Sequence, residues 1–327
     1  MSRPTLVNDD WSAQRLPLEL DDETLTEEAQ LTREATDCWL SATLHHIFLS
    51  KIVANAITAQ RQTNQSMLFE TISRNQRALE TWQSSLPPHL SGHVRPSSLI
   101  PKFQRQAICV RTFYLHAMIM VNRPLLLRPL RPQTSQVEDD ALQASRTACL
   151  GASEKLARQF IDFHRQGQQA TTYWFTQNVT FNAISILYIH CLQTLHSPLP
   201  FDDGEVGMLT LAQEAHSSLQ AYSQHNAANF KYCALLDELQ KEATALVGSR
   251  SLTIASTLGM TSSPEASSSR DQLEQGMENP FFTSKVNAAP HLPRAVEFDD
   301  ILWSWFDEFQ LQERNGYLGD IGGDAPQ

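Results

Sequence analysis

The chain has 327 residues, of which 41% are hydrophobic, and a formal net charge of −11. That length holds one large domain or two small ones, with enough apolar side chains for a real core. The acidic balance excludes a global basic field that would attract nucleic acid.

The charge is uneven, because residues 249–327 carry 12 acids against 5 bases. The N-terminal stretch lacks a basic segment followed by an apolar one, so it is not expected to be a signal peptide. The longest uncharged apolar run is Val179 to Leu195, and it contains Asn182, Ser185, His190 and Gln193. A buried helix fits that run better than a membrane span. The cysteines are Cys38, Cys109, Cys149, Cys191 and Cys233, with no CxxC among them. No zinc cluster or dithiol redox motif is therefore encoded, and a reducing compartment is expected. All five fall in helical patterns, where a reduced cysteine acts as a small apolar residue.

Residues 1–22 hold prolines and acids without a period, which predicts extended or looped chain. Thr24 to Arg61 forms a long helical pattern without Pro or Gly, and Thr24 with Glu27 fits a capping box. Its apolar positions include Leu40, Leu44, Ile47, Phe48, Ile52 and Val53. His45-His46 has no carboxylate or Cys at ligand spacing beside it, so a metal site is not expected there. Ser66 to Leu86 is a second helix with Leu68, Ile72, Leu79, Trp82 and Leu86 as its stripe, ended by Pro87-Pro88. Residues 92–102 read as a loop.

The central helix follows, ICVRTFYLHAMIMVNRPLLLRP over 108–129, with Val110, Phe113, Tyr114, Ala117, Met118 and Val121 on one face. Pro124 lacks the N–H that would return to the carbonyl of Met120, so a sharp stop at Arg123-Pro124 is predicted, with Leu125 to Leu127 seeking cover. After a second loop, Glu138 to Gln166 aligns Leu142, Cys149, Ala152, Leu156, Phe160 and Phe163, and Gly167 ends it. Thr171 to Leu195 is apolar nearly all round, the mark of an enclosed helix. The sequon Asn178-Val-Thr180 falls inside it and is not expected to be glycosylated. Val206 to Tyr222 and Ala227 to Leu246 are the last helices, the latter with Tyr232, Leu235, Leu239, Ala243 and Leu246 as its stripe. The expectation is an all-α fold of about seven helices.

Several of these segments, in this order, resemble the regulatory (middle homology) domain of fungal zinc-binuclear-cluster transcription factors. The resemblance rests on Arg3-Pro4, Asp9-Asp10, Leu16-Pro17 and Asp21-Asp22-Glu23, then on Leu79, Trp82 and Leu86-Pro87. It continues in the Tyr-containing helix that closes on Arg123-Pro124-Leu125 and in the Cys/Ala-rich helix after it. It covers about residues 3–246. Relatives carry further helices and an Arg-rich, Trp-containing segment before the Gly-Arg-Pro point where this chain begins. The helical part is thus expected to be partial, with apolar faces left uncovered. The six-Cys cluster, its basic linker and its coiled coil are not in this sequence, so zinc belongs to full-length relatives and direct DNA contact is not expected of this chain.

Residues 249–293 are rich in Ser, Thr, Pro and Asn and read as a disordered linker. Residues 294–327 form an acidic-aromatic tail around EFDDILWSWFDEF, where Glu297, Asp299, Asp300, Asp307 and Glu308 surround the aromatics. Leu302, Trp303, Trp305, Phe306 and Phe309 are the candidate partner-binding residues. Such segments are similar to transcriptional activation segments that fold into a partner's groove. The alternative for the same apolar face is docking on the chain's own domain.

No GxGxxG, Walker A, HExxH, GxSxG or kinase signature occurs, so no catalytic residue is assigned and an enzyme is not expected. The resemblance implies a nuclear protein that controls transcription through coactivators or other regulatory proteins, with no membrane and with a homodimer as an arrangement still open. The alternative is a helical enzyme or small-ligand-binding protein with its site between helices.

Overall fold

The computed structural model describes residues 15–19, 38–62, 67–95, 98–126, 136–167, 174–196, 203–222 and 227–257. Among them the fold is all-α, with eight helices and no strand. They are α1 (Ser41–Gln62), α2 (Leu68–Ser84), α3 (Pro88–Ser91), α4 (Pro101–Leu126), α5 (Gln136–Arg165), α6 (Trp174–His196), α7 (Asp203–Gln220) and α8 (Ala227–Thr257).

Side-chain contacts fix the directions. The Trp39 ring, just before α1, lies 6.0 Å from Phe103 at the start of α4. His46 stacks on Phe113 at 4.1 Å, and Gln60 near the end of α1 reaches the Val121 carbonyl near the end of α4. The two helices therefore run parallel. α2 runs against both, since Trp82 donates its indole N–H to the His45 carbonyl and Gln76 meets Asn122. α5 returns along α4, α6 runs with α4, and α7 and α8 complete the up-and-down order through Tyr188–His216 and Phe181–Tyr232 ring contacts. One end of the molecule thus gathers the starts of α1, α4, α6 and α8.

α4 lies at the centre. The predicted face, with Val110, Ala117 and Val121 at 3%, 0% and 0% exposure, packs on α1 and α2. A second face, with Leu115, Ile119 and Leu126, packs on α5 and α6. The enclosed character read for residues 171–195 is met in α6, where Val179, Phe181, Ile184, Leu187 and Tyr188 are all buried. The sequon asparagine is part of that core, with Asn178 donating to the Tyr232 hydroxyl at 3.0 Å.

Several boundaries differ from the sequence expectation. α4 does not stop at Arg123, because Pro124 lies inside the helix and the chain stays helical through Leu126. Leu125 and Leu126 are 1% and 0% exposed. Burying them contributes roughly 1.5–3 kcal/mol each, which matches or exceeds the cost of about 3 kcal/mol for an interior proline. α4 also starts earlier, at Pro101, where a missing N–H costs nothing.

Pro87 breaks α2, but Pro88 opens the one-turn α3, which ends at Gly92 in the left-handed region with φ 85°. This turn is the helix beyond the expected seven. The pattern over 24–61 is not one continuous helix, since residues 38–40 form a turn before α1. Cys38 is accordingly not helical; its carbonyl and its sulfur accept from the backbone N–H groups of Ser41 and Leu40 respectively. The other four cysteines are helical, and Cys149, Cys191 and Cys233 are buried. α8 continues to Thr257, past Leu246 and into the stretch read as linker. The capping box at Thr24, the linker beyond 257 and the acidic-aromatic tail lie outside the described residues.

Candidate functional site

Two of the family-like motifs, Leu79-Trp82 and Arg123-Pro124-Leu125, meet at α4, while Arg3-Pro4, Asp9-Asp10 and Asp21-Asp22-Glu23 lie outside the described residues. Leu79 and Trp82 of α2 are 0% and 5% exposed. The Trp82 indole stacks on Tyr114 with ring centroids 5.6 Å apart and donates to the His45 carbonyl at 2.9 Å. The Tyr114 hydroxyl donates to Gln83 Oε1 at 2.7 Å. One tryptophan thus ties α2 to both α1 and α4, which explains why this residue type sits one turn after a buried leucine.

The Arg-Pro-Leu end of α4 is surrounded by amides. The last carbonyls of a helix have no partners within it, and Pro124 removes one further donor. Gln60 of α1 donates to the Val121 carbonyl at 3.0 Å, and Gln193 of α6 donates to the Leu126 carbonyl at 3.3 Å. Gln76 of α2 donates to Asn122 Oδ1, and Asn122 donates back to the Met118 carbonyl at 2.8 Å. Arg146 of α5 donates to Gln193 Oε1 at 2.8 Å and orients that amide. Three glutamines from three helices therefore hold the motif. None of them carries a motif of its own, and only the tertiary contacts single them out.

The histidines serve packing. His116 is 5% exposed, lies against the Phe113 and Phe175 rings, and has its pKa lowered to about 3 by burial, with the Arg123 guanidinium adding to the effect. His45 and His46 are also lowered by burial. His164 bonds the Tyr222 hydroxyl at 2.7 Å. His216, 1% exposed, faces Asp237 at 3.6 Å, and Gln220 donates to the same carboxylate at 2.9 Å. Burial lowers the His216 pKa while Asp237 opposes that shift. The buried thiols of Cys149 and Cys191 are both pushed up to about 12, mainly by burial, so they stay protonated.

Among the described residues no three His, Cys, Asp or Glu side chains are grouped to hold a metal, and no helix is long and apolar enough to cross a membrane. A void of about 10 Å³ lies among α4, α5 and α6, lined by Thr112, Gln159, Phe160 and Thr180. That is room for one water at most. An open cleft of about 500 Å³ runs along α8 beside Asp237, Gln240, Lys241, Thr244 and Ala245. The candidate partner-binding residues Leu302, Trp303, Trp305, Phe306 and Phe309 lie outside the described residues, so the structure brings none of them to the helical core.

No family model matches the chain, and no solved structure matches it. Among curated proteins it is similar to "Activator of stress genes 1" of Saccharomyces cerevisiae (strain ATCC 204508 / S288c), 22% identical over 248 residues. The aligned region takes in 69% of this chain and 25% of that protein, so the chain spans about a quarter of the relative it matches. The chain is thus distantly similar, over most of its length, to a yeast protein named as an activator of genes.

Proposed function

We propose that this chain is a regulatory and activating part of a fungal transcription regulator, acting in the nucleus through protein partners. The observation that carries the reading is the similarity over 248 residues to a curated yeast activator. The ordered Leu79-Trp82-Leu86-Pro87 and Arg123-Pro124-Leu125 motifs support it, each packed around α4. In this reading the helical domain is the middle homology domain of the zinc-cluster family, and DNA contact is supplied by a cluster that these residues do not encode. Residues 297–309 are the activation segment. Trp303, Trp305, Phe306 and Phe309 supply apolar area for a coactivator groove, while the flanking acids keep the segment solvated and steer it toward basic rims.

The test is a reporter assay with residues 249–327 fused to an unrelated DNA-binding domain. Activation above background is expected, and Trp305→Ala with Phe306→Ala should remove far more of it than Asp307→Asn with Glu308→Gln. Aromatic burial sets affinity, whereas rim charges mainly tune association rate. A double aromatic variant that activates like its parent would refute the assignment of the tail.

A further inference from the structure

The end of the molecule where α1 and α4 begin differs from the rest in both charge and exposure. Arg95 between α3 and α4, and Lys102 and Arg105 in the first turns of α4, lie at that end of a chain whose net charge is −11. At that end the rings of Phe48 and His45 lie 6.5 Å apart, those of His89 and Phe103 5.1 Å apart, and those of Phe103 and Trp39 6.0 Å apart. His45 and His89 act on each other electrostatically, which puts the two ring groups side by side, with His89 itself buried beneath them. Much of it is exposed: Trp39 is 40% accessible, Phe48 44% and Ile100 53%. Lys102 lies over the Trp39 ring, and Arg105 follows one turn later, also exposed. Neither cation forms an ion pair with a carboxylate among the described residues. Among the described residues the acids at this end are Glu19, whose charge acts on His45, and Glu80, one turn before the end of α2.

The chain contains a segment of the complementary chemistry. Residues 297–309 hold five acids, no base and five aromatic side chains. The intervening length is sufficient. α8 ends at Thr257, at the opposite end from this surface. A helix the length of α4, 26 residues, is about 39 Å long. The forty residues from 258 to 297 span more than about 100 Å when extended.

We propose that the segment 297–309 docks in cis on the basic, aromatic end of α1, α3 and α4, through carboxylates facing Lys102 and Arg105 and aromatic rings against Trp39, Phe48 and Ile100. Its consequence, restraint of activation until a partner displaces the segment, rests on the reading of that segment under Proposed function. The same aromatic face of the segment then serves alternately, on the domain and on the partner.

The experiment uses the full chain with p-benzoylphenylalanine at position 306, irradiated as an equal mixture of light and nitrogen-15-labelled molecules and mapped by mass spectrometry. Cross-links within single chains to residues 39, 48 and 100–106 are expected. Lys102→Glu with Arg105→Glu should lower their yield roughly threefold or more, as for two exposed ion pairs reversed. Adding Asp307→Lys with Glu308→Lys should restore it. Light–heavy pairs making up about half of the links would assign the surface to a second copy and overturn docking in cis. Links to other elements, or a yield indifferent to charge reversal, would overturn it as well. In the reporter assay the full chain with Lys102→Glu and Arg105→Glu should activate more than its parent. If the isolated tail is silent, the functional reading fails while the cross-links still decide the contact. If the tail activates but charge reversal changes neither readout, docking fails and the functional reading stands.

Discussion

Asn122 shows how a single polar residue in the core is justified. It is 0% exposed, accepts from Gln76 and donates to the Met118 carbonyl. Asn122→Leu leaves the half-buried Gln76 amide with only the longer bond to the Ser145 hydroxyl at 3.4 Å, which costs about 1 kcal/mol. Gln76→Leu in the same chain should recover part of that loss, because replacing both partners strands no donor; urea unfolding of the two single variants and the double variant measures it. His116 makes the second prediction. Its folded pKa of about 3 lies below the ordinary 6.5. As pH falls the unfolded chain takes up this proton first, so stability is full above about 6.5 and is lost progressively toward 3. His45, His46, His190 and His216 are shifted in the same direction by burial. The urea midpoint should therefore fall as pH is lowered from 7 to 4, and His116→Leu should flatten part of that slope.

At the scale of the element, α4 and α5 end by different means. α5 stops at Gly167, where φ is 62° and the glycine N–H bonds the His164 carbonyl. A side chain is strained in that left-handed region whatever the space around it, so Gly167→Ala should lower the melting temperature, by about 1 kcal/mol of stability. α4 instead continues through Pro124 because Leu125 and Leu126 are buried and Gln193 caps the last carbonyl. Pro124→Ala restores an N–H for Met120 inside a helix already held by its neighbours. The expected outcome is a higher melting temperature by calorimetry, and a lower one would show that the proline itself sets the packing of this end.

The described helices alternate in direction along the chain and wrap on α4 and α6, and their core contacts run out along α8. Ala243 is buried, Leu246 and Val247 are partly so, and the helix then continues to Thr257. A chain ended after residue 257 should keep the cooperative melt of the full chain. One ended after residue 238 loses Leu239, Ala243, Leu246 and Val247 and should melt markedly lower or not fold. Far-UV circular dichroism of the longer form should be helix-dominated. Elemental analysis of the reduced protein should find less than one zinc per chain, because the sequence has no cysteine pair at ligand spacing.

By itself the sequence determined the helical class, the central face of α4, the enclosed α6 and the stripes of α2, α5 and α8. These follow from period and apolar content, which are local properties of the chain. The Trp82 and Arg-Pro-Leu motifs were legible through the resemblance they carry, and the glycine stop of α5 through the left-handed backbone that glycine permits. Only the tertiary structure decided where α4 ends, since burial of Leu125 and Leu126 against other helices outweighs the local preference of a proline. It alone also placed Gln60, Gln76 and Gln193 around that end, because hydrogen bonds between residues 46 to 67 positions apart leave no trace in spacing. The basic, aromatic end of α1, α3 and α4 is likewise a property of the assembly. Trp39, Phe48, His89, Ile100 and Lys102 are scattered in sequence, and the parallel course of α1 and α4 is what brings them together.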